Sequence, residues 1–175
     1  MYVITFANPK GGSGKTTSAM LLAEQIAISG GRVAILDLDP NANILAWAQT
    51  REAEGRDVPF TVHARPQAEE TVELIDSLSD EADYLIIDLE GSKDQIVTFA
   101  LSRTDLCIIP LDGSPMEARQ AAQAVRLVQT TANMIRARRA ARNGAQQHPD
   151  ATRSDRQARA LHPHLPGRCA LVRAA

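Results

Sequence analysis

Lys15 and Thr16 follow directly on Gly11, Gly12 and Gly14, with Ser13 between the glycines and Thr17 just after. These residue types at this spacing suit the binding of a polyphosphate with its cation. A polyphosphate needs several backbone N–H groups turned into one concavity, and residues without a Cβ let the chain wrap that tightly without blocking the oxygens. Lys15 would bring a cation to the outer phosphates. A helix starting at Thr16 would add its N-terminal partial positive charge, and the Thr16 hydroxyl could ligate Mg²⁺. Two acidic segments belong beside this loop. Asp37-Leu38-Asp39-Pro40 and Asp88 each close an apolar run, and in an open α/β sheet ligands collect at the carboxyl ends of the strands.

Positioning these residues takes buried strands and one-sided helices. Residues 2–6 are β-branched or aromatic at almost every position, as in a strand buried on both faces. Ala19, Leu22, Ala23 and Ile26 recur at i, i+3, i+4 and i+7, predicting a helix with one buried face that ends at Gly30-Gly31. Residues 33–36 predict a second buried strand, delivering Asp37 at its end, and residues 41–48 a helix in which Trp47 packs on the sheet. Residues 60–64 read as a strand. Ala68, Val72, Ile75 and Leu78 mark a helix whose other face, with Glu69, Glu70, Glu73 and Asp76, is solvated. A strand over 84–88 delivers Asp88, a short helix covers 96–101 and a strand covers 106–110. Ser114, Pro115 and Glu117 then read as an N-cap, N1 and N3 set opening a long helix with Ala121, Val125, Val128, Ala132 and Ile135 on its buried stripe.

The stretch Lys10-Gly11-Gly12-Ser13-Gly14-Lys15-Thr16-Thr17 resembles the deviant Walker A loop, KGGxGKTT, of the ParA/MinD family of P-loop ATPases. Pro9 stands where the ordinary P-loop pattern has its first glycine. The resemblance covers about residues 2–135. It implies that Lys10 reaches across a dimer to the partner's nucleotide. It also implies that Asp39 orients the attacking water, that Asp37 helps to hold the Mg²⁺ shell, and that Asp88 is the Walker B carboxylate binding Mg²⁺ through water. The segment Leu89-Glu90-Gly91-Ser92 departs from the D-T-P-P or D-x-P-G usual for the family; Gly91 could still supply an N–H near the terminal phosphate, but Glu90 is unexpected. D-P-N followed by Trp47 is similar to a VirC1-type subgroup of conjugation proteins.

Fold class follows as α/β: a P-loop three-layer α/β/α fold with a mostly parallel sheet of five or more strands, and the resemblance implies that the Asp88 strand lies beside the Tyr2 strand. With ATP and Mg²⁺ as cofactors, the family implies an ATPase switch. ATP closes a homodimer, the dimer binds DNA without sequence preference, and a ParB-like partner stimulates hydrolysis. Plasmid or chromosome partition is the leading function, with conjugative transfer of the VirC1 type using the same machinery.

Composition narrows the remaining possibilities. Apolar residues make up 44% of the 175, and no apolar run approaches the ~20 residues needed to cross a bilayer. With no basic, apolar leader before the first strand, a cytoplasmic protein with no membrane partner is expected. Cys107 and Cys169 lie far apart in sequence with no C-x-x-C, which argues against a zinc ribbon or disulfide framework. His63 reads as structural. Residues 1–135 carry 10 basic and 19 acidic side chains, whereas residues 136–175 carry 9 and 2. We therefore expect an ATPase domain over 1–139 and an Arg/Ala/Pro-rich tail over 140–175 with no strand or helix period. The tail reads as a disordered phosphate-binding arm, an unrecognised completing segment or a non-homologous end, the last favoured on composition. His148, His162 and His164 lie there without a ligand cluster. The sheet is then C-terminally truncated or divergent, and the alternative function is a non-catalytic nucleotide-binding remnant.

Overall fold

The computed structural model describes residues 1–8, 11–64, 66–90, 95–111, 119, 122–134, 137 and 168–173. In chain order these hold β1 (Tyr2–Phe6), α1 (Lys15–Ile28), β2 (Val33–Asp37), α2 (Asn43–Ala53), β3 (Thr61–Ala64), α3 (Ala68–Ser77), β4 (Tyr84–Asp88), α4 (Gln95–Arg103), β5 (Leu106–Leu111), a helix α5 over 122–134, and β6 (Arg168–Arg173). The strands form one sheet in the order β3-β2-β4-β1-β5-β6. Every pairing is parallel. β4 fills the gap between β1 and β2, so the strand bearing Asp88 does neighbour the strand bearing Tyr2.

Alternation along the strands sorts the core into two layers. Val3, Ala34, Leu36, Leu85 and Ile87 pack with Ile75 of α3, Val97 and Leu101 of α4, and Val128 of α5. Ile4, Phe6, Val33, Ile35 and Ile86 pack with Ala19 and Ala23 of α1 and Ile44 of α2. Helices therefore cover both faces of a parallel sheet, the three-layer arrangement that strands apolar on both sides require. The small Ala19 and Ala23, both fully buried, let α1 lie close against β1 and β4.

Buried polar groups tie β1 to the segment before β5. Asp105 accepts a 2.8 Å hydrogen bond from the Val3 N–H, and the Thr5 and Thr104 hydroxyls meet at 2.7 Å. On the surface, Arg103 of α4 forms a two-pronged ion pair with Asp76 of α3, both contacts at 2.8 Å. The acidic face expected on α3 is thus partly paired rather than wholly solvated. Gln67 caps α3, with Glu70 reaching back to its N–H in a capping box.

Several expectations are corrected. β3 begins at Thr61, not Phe60; the Phe60 ring instead stacks on Trp47 with centroids 5.9 Å apart, and the Arg51 guanidinium lies over the indole. On α5 the buried stripe is Ala124, Val128 and Thr131, with Val125 and Ala132 only half-buried. Beyond residue 136, where the sequence shows no strand period, the described residues include β6, which pairs with β5 from Leu106↔Arg168 to Leu111↔Arg173. That strand is six residues long with an arginine at each end, too short for alternation to reveal against an Arg/Ala-rich background. Its pairing comes from β5, whose edge it covers, and it sets Cys169 directly opposite Cys107. The expected capping box at Ser114 and Glu117, the three tail histidines, Lys10 and Gly91 lie outside the described residues.

Candidate functional site

The loop after β1 turns on two glycines that take the left-handed backbone region, Gly12 at φ 75 and Gly14 at φ 82. Residues with a Cβ rarely sit there. Gly14 is also the residue preceding α1, and neither a side-chain cap nor a first-turn acid satisfies that helix end. The first N–H groups of a helix have no intrahelical acceptor, and an anion placed against them would be stabilised by the helix end. A Cβ on Gly11 or Gly12 would meet nothing within 4 Å. The loop is therefore open around Gly11 and Gly12, not a packed turn.

The loop from Gly11 to Thr17 lines a cleft of about 670 Å³ together with Asp39, Asn41, Asn43 and Glu90. Two strand-end carboxylates lie next to the residues that line it. Asp37 and Asp88 are register partners at the ends of adjacent strands, and Asp88 is also level with Phe6 on β1. Thr16, in the first turn of α1, donates a 2.6 Å hydrogen bond to Asp88 Oδ2. Asp88 is 1% exposed, and its second oxygen, Oδ1, is buried without a hydrogen-bond partner. Burial pushes its pKa up to about 6, the Thr16 bond pulling the other way.

Asp37 and Asp39 separate in role as they do in orientation. Asp37 is fully buried; it accepts hydrogen bonds from the Asp39 N–H at 3.1 Å and the Ile44 N–H at 2.9 Å. In this arrangement it caps the start of α2, where Ala42 takes a positive φ of 48 and no cap comes from that residue. Burial raises the Asp37 pKa against those backbone donors. Asp39 reaches the cleft, and its Oδ1 accepts from both the backbone and side-chain N–H groups of Asn41, each at 2.8 Å. Burial lowers the Lys15 pKa, opposed by Asp88, Asp39 and Glu90.

Of the residues singled out in the sequence, Gly11 to Thr17, Asp37, Asp39 and Asp88 thus meet at one sheet crest. Asn41, Asn43 and Glu90 were not assigned a place there. Asn41 carried a signal, since an Asn two residues after an Asp favours a side-chain-to-backbone turn; Asn43 carried none. His63 lies on β3 with its Nε2 buried and unpartnered. Among the described residues no cluster of three or more His, Cys, Asp or Glu could hold a metal. A Mg²⁺ ion nevertheless fits the Thr16–Asp88 pair, because Mg²⁺ in phosphate sites is held by one or two carboxylates together with the phosphates themselves. The orphaned Asp88 Oδ1 is an acceptor waiting for such a partner.

A glycine loop that leads into α1, whose Thr16 meets a carboxylate at the end of β4, agrees with the sequence comparison. The family described as ATPase MipZ matches residues 2–151. The chain belongs to this MipZ/ParA-like family of ATPases. It is 34% identical to the protein ParA of Rhizobium radiobacter and 29% identical to the protein VirC1 of Rhizobium rhizogenes. Each match covers 73% of this chain and 56% of the relative, so the chain spans little more than half the length of these proteins. Among solved structures, a plasmid partition protein from Borrelia burgdorferi superposes with a TM-score of 0.62 at 20% identity, covering 74% of this chain and 72% of that one. The pNOB8 ParA bound to nonspecific DNA superposes with a TM-score of 0.56 at 20% identity, over 71% of this chain and 58% of that one. These likenesses establish the P-loop ParA/MinD fold. No helix among the described residues is long and apolar enough to cross a membrane.

Proposed function

We propose that this chain carries the nucleotide-switch part of a ParA-type partition ATPase. ATP binds with Mg²⁺ in the cleft, closes a homodimer that holds DNA without sequence preference, and is hydrolysed slowly until a ParB-like partner accelerates the step. The observation that carries this reading is the junction of α1, which has no side-chain cap, with Asp88, where Thr16 bonds one buried carboxylate oxygen and the other has no hydrogen-bond partner.

Within this reading each residue has a separate task. The backbone of Gly11 to Thr17 wraps the phosphates, and the Lys15 ammonium neutralises their outer charge. Thr16 and Asp88 hold Mg²⁺, Asp88 and Asp37 acting through water; the ion's contribution is to neutralise charge on the phosphate oxygens. Asp39, with Oδ1 already held by Asn41, orients the attacking water. Lys10 reaches the nucleotide of the partner subunit. ATP drives the switch because only the state with the terminal phosphate gains the contacts that reward closure.

Action in the cytoplasm on the nucleoid or a plasmid accords with the nonspecific DNA in the pNOB8 ParA neighbour. Nine arginines in residues 136–175 would add phosphate contacts to such binding. The 29% identity to VirC1 supports conjugative transfer as a second use of the same machine.

The test is size-exclusion chromatography with light scattering on the Asp39→Ala protein, in which turnover is blocked. A dimer that forms with Mg²⁺-ATP and not with Mg²⁺-ADP is expected. A monomer under both conditions would reduce the chain to a nucleotide binder without a switch.

A further inference from the structure

Glu90 has no part in the roles above, yet it stands in the cleft. It follows β4 by two residues, is exposed, and lines the cleft together with the glycine loop and Asp39. Among the described residues lining this cleft, Lys15 is the cation, and Asp39 and Glu90 are both anions. Their charges, with that of Asp88, act on the Lys15 ammonium. A ligand phosphate that meets Lys15 therefore enters within range of the Glu90 carboxylate.

In a P-loop the lysine reaches the β- and γ-phosphates. ATP differs from ADP by the terminal phosphate and about one unit of negative charge, and that charge lies at the Lys15 end of the ligand. We propose that Glu90 is a specificity-determining residue, placed to penalise the terminal phosphate and so to set the balance between nucleoside triphosphate and diphosphate in this cleft. The inference rests on the nucleotide reading above and deepens it. An anion at this position weakens the ATP-bound state relative to the ADP-bound state, so a switch built on this cleft spends less of its time closed. A unit charge about 7 Å from a ligand charge in water-like surroundings alters a binding constant by roughly threefold, and salt screens the effect.

Isothermal titration with Mg²⁺-AMPPNP and Mg²⁺-ADP, at low and at high salt, tests this on the wild type, Glu90→Gln, Glu90→Asp and Lys15→Ala. Glu90→Gln, isosteric at an exposed position, is expected to tighten AMPPNP by about threefold or more and ADP by less. The gain should shrink at high salt, and Glu90→Asp should keep most of the penalty. Equal changes for both nucleotides, no change, or weaker AMPPNP binding by Glu90→Gln would overturn the inference while leaving the cleft a nucleotide site. A wild type that binds neither ligand, indistinguishable from Lys15→Ala, would overturn the nucleotide reading and this inference with it.

Discussion

The Thr16 hydroxyl and Asp88 Oδ2 meet at 2.6 Å across a separation of 72 residues. One end of this contact starts α1 and the other finishes β4, so the bond exists only when β4 has been inserted next to β1. The same carboxylate leaves its other oxygen buried with no partner. This arrangement is a cost, because an ionised group has left water for one hydrogen bond.

That cost has a sign and a pH window. The Asp88 pKa of about 6 in the fold lies above its ordinary value of 3.8, so ionisation favours the unfolded chain. The penalty is complete above about pH 6, fades as pH falls, and is gone below about pH 4. Asp88→Asn should therefore be more stable than the wild type at pH 7.5 without nucleotide, by up to about 3 kcal/mol, with the gap closing towards pH 4. Urea unfolding of both proteins across that range measures it. A gap that stays constant with pH would show that Asp88 does not carry the strain.

The glycine cradle separates stability from binding. Gly11 has an ordinary φ and open space around a would-be Cβ. Gly11→Ala should leave the melting temperature of the empty protein nearly unchanged and weaken Mg²⁺-ATP binding by at least about tenfold, because the methyl narrows the path for phosphate oxygens. Gly12→Ala meets the same open space at a φ of 75 and should in addition lose roughly 1–2 kcal/mol of stability to backbone strain. Equal melting temperatures for the two variants would contradict the loop geometry.

Asp37 should matter even without a nucleotide. It holds the N–H groups of Asp39 and Ile44, so Asp37→Ala leaves donors at the start of α2 unsatisfied. We expect a loss of about 2 kcal/mol and faster amide exchange at Ile44 in the nucleotide-free protein. Unchanged exchange at Ile44 would limit Asp37 to a ligand-dependent role.

The sixth strand can be tested by amide exchange. β6 pairs with β5 in a parallel ladder from Leu106↔Arg168 to Leu111↔Arg173, so amides in residues 168–173 should exchange more slowly than in the unfolded chain. Exchange there at the unfolded rate would argue against the β5–β6 pairing.

What could be read in the sequence was local. The φ demands of Gly12 and Gly14, the apolar runs ending in Asp37 and Asp88, and the i, i+3, i+4 spacing of Ala19, Leu22, Ala23 and Ile26 all depend on residues within one or two turns of each other. Such preferences act before any tertiary contact forms. The cleft residues missed in the sequence are those whose place depends on distant partners. Asn43 and Glu90 line the cleft only because the ends of β2 and β4 lie side by side. Trp47 finds Phe60 through the β2–β3 pairing. Asp37 proves to be a helix cap as soon as the turn at Ala42 brings the Ile44 N–H back to it. β6 is the extreme case: six residues flanked by arginine acquire a strand's identity from the exposed edge of β5, since backbone hydrogen bonds to a neighbour, and not side-chain periodicity, decide an edge strand. The sequence by itself determined the family, the glycine loop that turns between β1 and α1, and which carboxylates end strands. Strand order, the partner of each carboxylate and the charge balance around Lys15 were decided by tertiary structure, because they depend on hydrogen bonds and electrostatic fields between groups far apart along the chain.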